Sequence, residues 1–339
     1  PQDANAHAAL GHWLYDRRRH REAITHWEAA VTVNPDDAIV WRCLGIAYFN
    51  VLGKPAKARA AYQKAVAAAP GDARLVFESD QLAKRLGDSP AKRLKTLLKS
   101  SNLLETRDDL ALELCTLYNQ TGQPGKALAI LTTRNFQPWE GGEGGPLGQY
   151  VRAHLLLGRA TEGDVAVAHF QAALAAPDNL GEAKHLLANQ SDIHLLLGDA
   201  LQANRQRAEA RKHWALAANA RGDFQNMSVR AFSEMTFYSA AALERLGKKA
   251  AAKSLLTALL AYAKQLANAE AKIDYFATSL PTMLLFDDDL QKSQGLTARF
   301  LEAQARSGLG QHKKAKVILK EVLAENPNHA LASDLIQSI

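Results

Sequence analysis

The sequence contains little cysteine. Its 339 residues include two, Cys43 and Cys115, and each falls inside a predicted helix where a small apolar residue packs. Two thiols are too few for a disulfide framework, and they provide no metal site by themselves. We therefore predict two unpaired, buried thiols, no bound metal and no cofactor.

Long apolar runs and β-branched runs are also scarce. Aromatic residues make up 7% of the chain, and the 47% hydrophobic content is mostly Ala and Leu, which favour helices. The sequence shows no signal peptide, no apolar run of 18 residues and no initiator Met. We expect an all-α chain without membrane insertion, cut from a longer protein whose targeting signal lies elsewhere.

Neither sign of charge dominates. The chain has 41 basic and 35 acidic residues, interspersed along the predicted helices, with a formal net charge of +6. This pattern is typical of solvated helix faces rather than of a track for a polyanion. The densest basic run, residues 17–21, falls at a turn between helices, so we predict no nucleic-acid partner.

The sequence lacks the usual catalytic signatures. It has no His-Glu-x-x-His zinc motif, no phosphate loop ending in Gly-Lys-Ser/Thr and no Gly-x-Ser-x-Gly nucleophile elbow. We therefore favour a non-catalytic role for this chain on its own.

What the sequence does contain is a repeat with a period near 34 residues, clearest over residues 38–70. Its small residues, Gly45 and Ala58, lie where two helices press together, and its large ones are Trp41, Tyr48 and Tyr62. A proline at position 70 ends the second helix. This is the tetratricopeptide pattern.

The pattern predicts one array: a right-handed superhelical solenoid of about eight helix pairs and a C-terminal capping helix. A single pair cannot bury its apolar face alone, so the pairs must stack. The predicted units are residues 4–35, 38–70, 72–106, 108–133, 147–177, 191–222, 233–268 and 296–327. Irregular insertions are predicted at 134–146, 178–190 and 269–295, with the cap at 328–339.

An acid interrupts the pattern in the third unit. Asp80 stands where the first two units have glycine, and an unpaired carboxylate at a helix crossing carries a large desolvation cost. We predict a buried ion pair, with Arg107 or Lys84 as the partner; the alternative is an acid that faces a ligand.

The insertions carry the remaining candidates for binding or chemistry. In the first, Trp139 could stack on a sugar ring while Glu140 and Glu143 accept its hydroxyls, or the loop could simply be well anchored. In the second, Glu182 and His185 are spaced as in half of a di-iron motif, but no second half exists, so we predict no metal. In the third, Pro281 predicts a kink or a helix start, and residues 287–289 predict a helix cap.

These insertions also resemble one bacterial family. The residues that carry the resemblance are Asp80–Gln81–Leu82, the run at 137–144 with its Trp-Glu-Gly-Gly-Glu-Gly core, and residues 274–291. Members of that family are large proteins of unassigned function, with a sugar-mutarotase-type β-sandwich region in front of a tetratricopeptide tail. The resemblance covers essentially the entire chain and implies that it is such a tail, associated with a carbohydrate-active region outside this sequence.

The first helix of each unit should line a concave wall. Residues that point inward are polar and aromatic rather than rich in Lys and Asn, which argues against a carboxylate clamp for peptide C-termini. The predicted binding residues on this wall and in the insertions are Arg42, Phe49, Asn50, Phe77, Asp80, Trp139, Glu140, Glu143, Tyr150, Glu182, Lys184, His185, Asp274 and Phe276.

Three functions remain open from the sequence. The first is a non-catalytic docking scaffold that packs on its own parent region or on another chain, at insertions gathered on one side. The second is a tail that completes a glycan-binding or glycoside-processing site, with Glu140, Glu143, Glu182 and Asp274 as candidate acids and bases. The third is a peptide-binding adaptor.

Overall fold

The structure, a computed structural model, describes residues 3–104, 106–139, 142–225, 228–272 and 285–339. Almost all regular structure in them is helical, so the predicted all-α class is confirmed. The helices are α1 (Ala4–Asp16), α2 (His20–Val33), α3 (Ala38–Asn50), α4 (Pro55–Ala68), α5 (Ala73–Arg85), α6 (Pro90–Leu97), α7 (Asp108–Gln120), α8 (Pro124–Thr133), α9 (Gly145–Arg159), α10 (Gly163–Leu174), α11 (Ser191–Ala203), α12 (Arg207–Asn219), α13 (Met235–Arg245), α14 (Lys249–Asn268), α15 (Leu290–Gly308), α16 (His312–Glu325) and α17 (Ala330–Ser338).

These helices follow one another as eight pairs, α1/α2 to α15/α16, with α17 after the last pair. Short 3₁₀ helices occur at Leu98–Leu103 and Asp178–Leu180. A hairpin of β1 (Asp223–Gln225) and β2 (Ser228–Arg230) separates α12 from α13, with Phe224 opposite Val229. The handedness of the predicted superhelix stays a prediction.

Small residues set how closely the two helices of a pair approach. A Cβ atom on Gly11 would lie 2.4 Å from the ring of Trp27, and one on Gly45 would lie 2.5 Å from the ring of Tyr62. Each glycine on the first helix therefore makes room for an aromatic ring on the second. The repeated glycine is explained by ring packing as much as by contact between the two backbones.

The tryptophans of the repeats and the two cysteines differ in how deeply they are buried. Trp27 and Trp214 are buried, whereas Trp41, a large residue of the repeat pattern, is only partly buried. The indole N–H of Trp41 donates to the Pro35 carbonyl, and the Lys64 ammonium lies 4.0 Å above its ring. Both cysteines are free, as predicted. Cys115 is buried and Cys43 half-buried, and burial raises the pKa of Cys115 to about 12 and that of Cys43 to about 11.

The chain divides into two compact units. Unit 1 consists of Pro1–Ala111 and Pro281–Asp288, and unit 2 of Leu112–Leu280 and Asp289–Ile339. One core cluster of unit 1 is built mainly by the first two helix pairs, and it includes Leu82 of α5 and Phe286 from the distant segment. In unit 2, one core cluster spans α9–α14, and another joins α15, α16 and α17.

Within the described residues, no helix is both long and apolar enough to cross a bilayer. No group of three or more His, Cys, Asp or Glu side chains there is arranged to hold a metal ion.

Candidate functional site

Asn50, the last residue of α3, binds the main chain of a segment far away in sequence. Its side-chain amide donates to the carbonyl of Leu285 at 3.0 Å, and its side-chain carbonyl accepts the N–H of Asp287 at 3.1 Å. The two bonds satisfy the donor and the acceptor that flank one residue, much as a neighbouring β-strand would. These two bonds depend on the backbone of the segment rather than on particular side chains.

The residue between those two backbone groups, Phe286, fills an aromatic pocket. Its ring lies 5.3 Å from the ring of Phe49 and 5.7 Å from that of Tyr62, both in edge-to-face geometry, and the residue is 2% exposed. Edge-to-face contacts at this spacing add to the gain from burying the ring. The pocket therefore fits an aromatic side chain at this position.

The positively charged side chain of Arg85 binds the next two residues of the segment. The guanidinium of Arg85, at the end of α5, donates to a carboxylate oxygen of Asp288 at 2.7 Å and to the carbonyl of Asp287 at 3.3 Å. Both partners of this ion pair are partly exposed. We call Phe49, Asn50, Tyr62 and Arg85 the segment groove, and residues 285–288 the internal segment.

A buried carboxylate holds the wall of the segment groove in place. Glu78 is 4% exposed and accepts two hydrogen bonds from Arg42, at 2.6 and 2.8 Å, one from Arg74 at 2.8 Å and one from the Tyr62 hydroxyl at 3.0 Å. Burial, together with the charge of Glu78, raises the pKa of Tyr62. The phenol thus remains a neutral donor, and its ring keeps a fixed orientation towards Phe286.

The predicted concave-wall residues of unit 1 fall into three situations. Phe49 and Asn50 contact the internal segment directly, and Arg42 supports it through Glu78. Phe77 is half-buried on α5. Sequence reasoning missed Glu78 and Arg85, and it placed Tyr62 in the core without a binding role.

Asp80 is a member of a buried ion pair, as predicted, and its described partner is Arg93, which the sequence did not suggest. Its carboxylate receives two hydrogen bonds from Arg93 on α6, at 3.1 and 2.5 Å, and Arg93 is 1% exposed. Arg107, one of the two predicted partners, binds Asp109 instead. Arg93 lies on the facing helix of the same pair, so the crossing that has glycine in other units is held here by charge.

Within unit 2, the first two insertions pack on each other. The carboxylate of Glu182 accepts the N–H groups of Gly144 and Leu147 at 2.6 and 2.7 Å, at the start of α9. The side chain of Asn179 donates to the carbonyls of Leu131 and Arg134. Glu182 is therefore bound by backbone amides, as expected for a helix-capping acid.

The other candidates near these insertions have local partners. The Trp139 ring is half-buried against Gly142, whereas Glu143 is exposed. Tyr150 is buried and packs on His154. The ammonium of Lys184 donates to the Ala173 carbonyl and to Gln190, and burial lowers the pKa of Lys184 to about 8 although Asp192 opposes that shift. His185 stacks on Phe224 at 3.8 Å.

The structure does not describe part of the third insertion or one candidate in the first. Glu140, Asp274, Phe276 and the kink predicted at Pro281 lie outside the described residues. Of the four candidate acids and bases, Glu143 and Glu182 are described, and Glu182 is committed to backbone amides. In the predicted acidic cap, Asp289 does accept the N–H of Lys292 at the start of α15.

Comparison with known proteins points to the repeats. A family model described as Tetratricopeptide repeat matches residues 8–73, and a second model of the same description matches residues 297–329. The first range runs from α1 to the start of α5, and the second covers most of α15 and all of α16. The chain therefore carries tetratricopeptide repeats in two separate parts of its sequence.

Several solved structures are similar at low identity. A tetratricopeptide repeat protein from Parabacteroides merdae ATCC 43184 shares 12% identity over 99% of this chain and 98% of that chain, with a TM-score of 0.46. A structure of Naa15/Naa10 bound to HypK-THB shares 17% over 96% and 54%, with a TM-score of 0.45. YrrB, described as a TPR protein with an unusual peptide-binding site, shares 13% over 65% and 87%, with a TM-score of 0.34.

Proposed function

We propose that this chain is a protein-interaction scaffold whose segment groove binds a short, non-helical stretch of protein. Arrays of helix pairs present wide surfaces formed by successive first helices, and such surfaces suit protein partners. In the part of the chain that the structure describes, no group of three or more His, Cys, Asp or Glu side chains is arranged to hold a metal ion, and the candidate acid Glu182 is bound by backbone amides.

One observation carries the proposal: Asn50 makes two hydrogen bonds to the main chain of one segment while Phe286 fills the pocket beside it. A sugar has no alternating amide and carbonyl groups to match a carboxamide in this way. A nucleic acid would meet a groove whose neighbouring arginines, Arg42 and Arg74, are both already ion-paired with Glu78. The chemistry fits a polypeptide.

The test is peptide binding to the full chain, measured by fluorescence anisotropy at peptide concentrations up to the millimolar range. A labelled peptide with the sequence of residues 284–290, Leu-Leu-Phe-Asp-Asp-Asp-Leu, is the probe. We expect saturable binding. In a chain whose own Phe286 is changed to Ala, so that the pocket is not filled from within, Asn50→Ala should weaken this binding about tenfold or more, because each lost backbone hydrogen bond counts in a small interface.

Asn102→Ala is the matched control, since Asn102 is exposed in a 3₁₀ turn of the same unit. It should bind like the unaltered chain. Absence of saturable binding, or equal loss in both variants, would contradict a peptide-binding groove.

We further propose that the packed insertions of unit 2 form the docking surface for another region or protein. Leu186 and Leu187 are 99% and 61% exposed beside the Glu182 cap, and Trp139 is half-buried nearby in the same pair of insertions. The family resemblance nominates the carbohydrate-active sandwich of the parent chain as the occupant, with a saccharide as the alternative. A glycan panel tested by calorimetry, with Trp139→Ala as control, separates the two occupants. A binding heat for a sugar that Trp139→Ala removes supports the saccharide. The absence of a binding heat for every sugar favours the protein region.

A further inference from the structure

We infer that the internal segment is a built-in competitor for the segment groove, and that the protein partner presents the same chemistry: an aliphatic residue, a phenylalanine, any residue except proline, and an acidic residue. This inference rests on the proposed peptide-binding function and names both its ligand class and its regulation. It comes from what the structure places in the groove.

The internal segment is bound as a ligand would be bound. Residues 285–288 form neither helix nor strand, and their described contacts to the groove are made by side chains of α3, α4 and α5. Leu285 is 235 residues away from Asn50 in sequence. A separate polypeptide with the same four residues would satisfy the same donors, acceptors and pocket.

The contacts also define what a partner must carry. The described hydrogen bonds of Asn50 to the segment involve only its main chain. The sequence specificity of the groove for a partner therefore depends on Phe286 in its aromatic pocket and on Asp288 opposite Arg85. The side chain of Asp287 is exposed, so its position tolerates other residues, although its N–H must remain. Leu285 packs at the margin of the unit 1 core. The ligand class is therefore aliphatic–Phe–any residue except Pro–acidic.

The acidic end of the internal segment can be displaced from the groove by a partner with little loss of binding energy. The Arg85–Asp288 pair is about one-quarter to one-third exposed, and solvent-exposed ion pairs of this kind add little to affinity. What favours the internal segment over a free peptide is its covalent connection, since tethered ligands act at effective concentrations near the millimolar range. A free partner of micromolar affinity can then bind only those molecules whose groove is open, so its apparent affinity is lowered by that fraction.

The experiment uses the full chain and the labelled peptide of residues 284–290. Phe286→Ala empties the pocket of its internal ligand, and Asp287→Pro removes the internal N–H that Asn50 accepts; neither change alters the added peptide. We expect both variants to bind the peptide about 10- to 100-fold more tightly than the unaltered chain. Adding Asn50→Ala to Phe286→Ala should abolish this gain.

Peptides with Phe replaced by Ala, or with the second of the three Asp residues replaced by Asn, should bind Phe286→Ala at least tenfold more weakly than the parent peptide. Equal binding of all three would overturn the assigned ligand class.

The outcomes separate the two proposals. If the unaltered chain binds but neither variant binds more tightly, the internal competitor is wrong while the groove function stands. If no form of the chain binds, the groove function itself fails. If both variants lose their helical circular dichroism, the segment is a permanent part of the unit 1 fold, and the inference is overturned.

Discussion

At the scale of single residues, the repeat shows where glycine is required and where another residue has taken its place. The turns at Gly53, Gly87 and Gly247 have positive φ, which glycine adopts without strain. Arg18 and Arg205 have φ values of 59° and 64° at the corresponding turns between paired helices. Side chains with a Cβ atom pay about 1 kcal/mol in this region.

We predict that Arg205→Gly stabilises the chain by about 0.5–1 kcal/mol, because relief of left-handed strain exceeds the extra unfolded-state entropy of glycine. Arg205 is exposed, so no packing is lost. Urea unfolding followed by circular dichroism measures the difference. Arg211→Gly, at an exposed position inside α12, is the control and should destabilise by about 0.8 kcal/mol; a loss in both variants would refute the strain argument.

At the scale of elements, the insertions act as caps as well as surfaces. Helix α9 starts at Gly145 after a left-handed glycine and has no side-chain bond from its own N-cap residue. The carboxylate of Glu182 supplies the missing acceptor from 38 residues away. A long-range acid thus performs the role that Asp37 and Asp72 perform locally for α3 and α5.

We expect Glu182→Ala to lower the free energy of unfolding by about 1–2 kcal/mol, since it leaves two amide donors of α9 without their charged acceptor. The change should appear as a lower urea midpoint. Glu162, the residue before α10, makes no side-chain cap bond, so Glu162→Ala should cost less than half as much. Equal costs would mean that Glu182 acts through helix-dipole charge alone.

At the scale of the whole molecule, paired histidines link stability to pH. In the described residues, three pairs join the two helices of one helix pair through Nδ1–Nδ1 contacts of 2.9–3.0 Å: His7–His26, His154–His169 and His194–His213. Burial, with the neighbouring histidine second, lowers the pKa of His154 and of His194 to about 4.

The direction in which stability changes with pH follows from proton uptake by the folded and unfolded chains. Above pH 6.5 these groups are neutral in both folded and unfolded chains, so they contribute no pH dependence. Between pH 6.5 and about 4 the unfolded chain binds protons that folded His154 and His194 do not, so stability falls as pH falls. One pKa unit corresponds to about 1.4 kcal/mol, so buried His154 accounts for about 2–3 kcal/mol by pH 4.

We therefore predict that His154→Gln reduces the loss of unfolding free energy between pH 7 and pH 4.5, measured by urea titration at each pH. His312→Gln, at an exposed position, is the control and should keep the full loss. An unchanged loss in His154→Gln would show that carboxylate protonation, not the histidine pairs, governs acid sensitivity.

The predictable part of this protein is the part that repeats. The repeat pattern predicts that Gly45 lies where two paired helices press together, and there it faces Tyr62, 17 residues further along the chain. The partner of Asp80 was not predictable in this way, because arginines on several neighbouring helices satisfy the same electrostatic requirement and only packing selects Arg93. Asn50 was predicted on the binding wall, but nothing near it in sequence shows what it binds.

By itself, the sequence determined that the chain is helical, that its helices come in pairs and where each pair turns, because these features depend on contacts within about 34 residues. Only the tertiary structure decided that Leu285–Asp288 fills the groove beside Asn50 and that Glu182 caps α9. Those contacts join residues 235 and 38 positions apart. A local pattern holds no information about them, since they depend on how the chain returns on itself rather than on any one repeat.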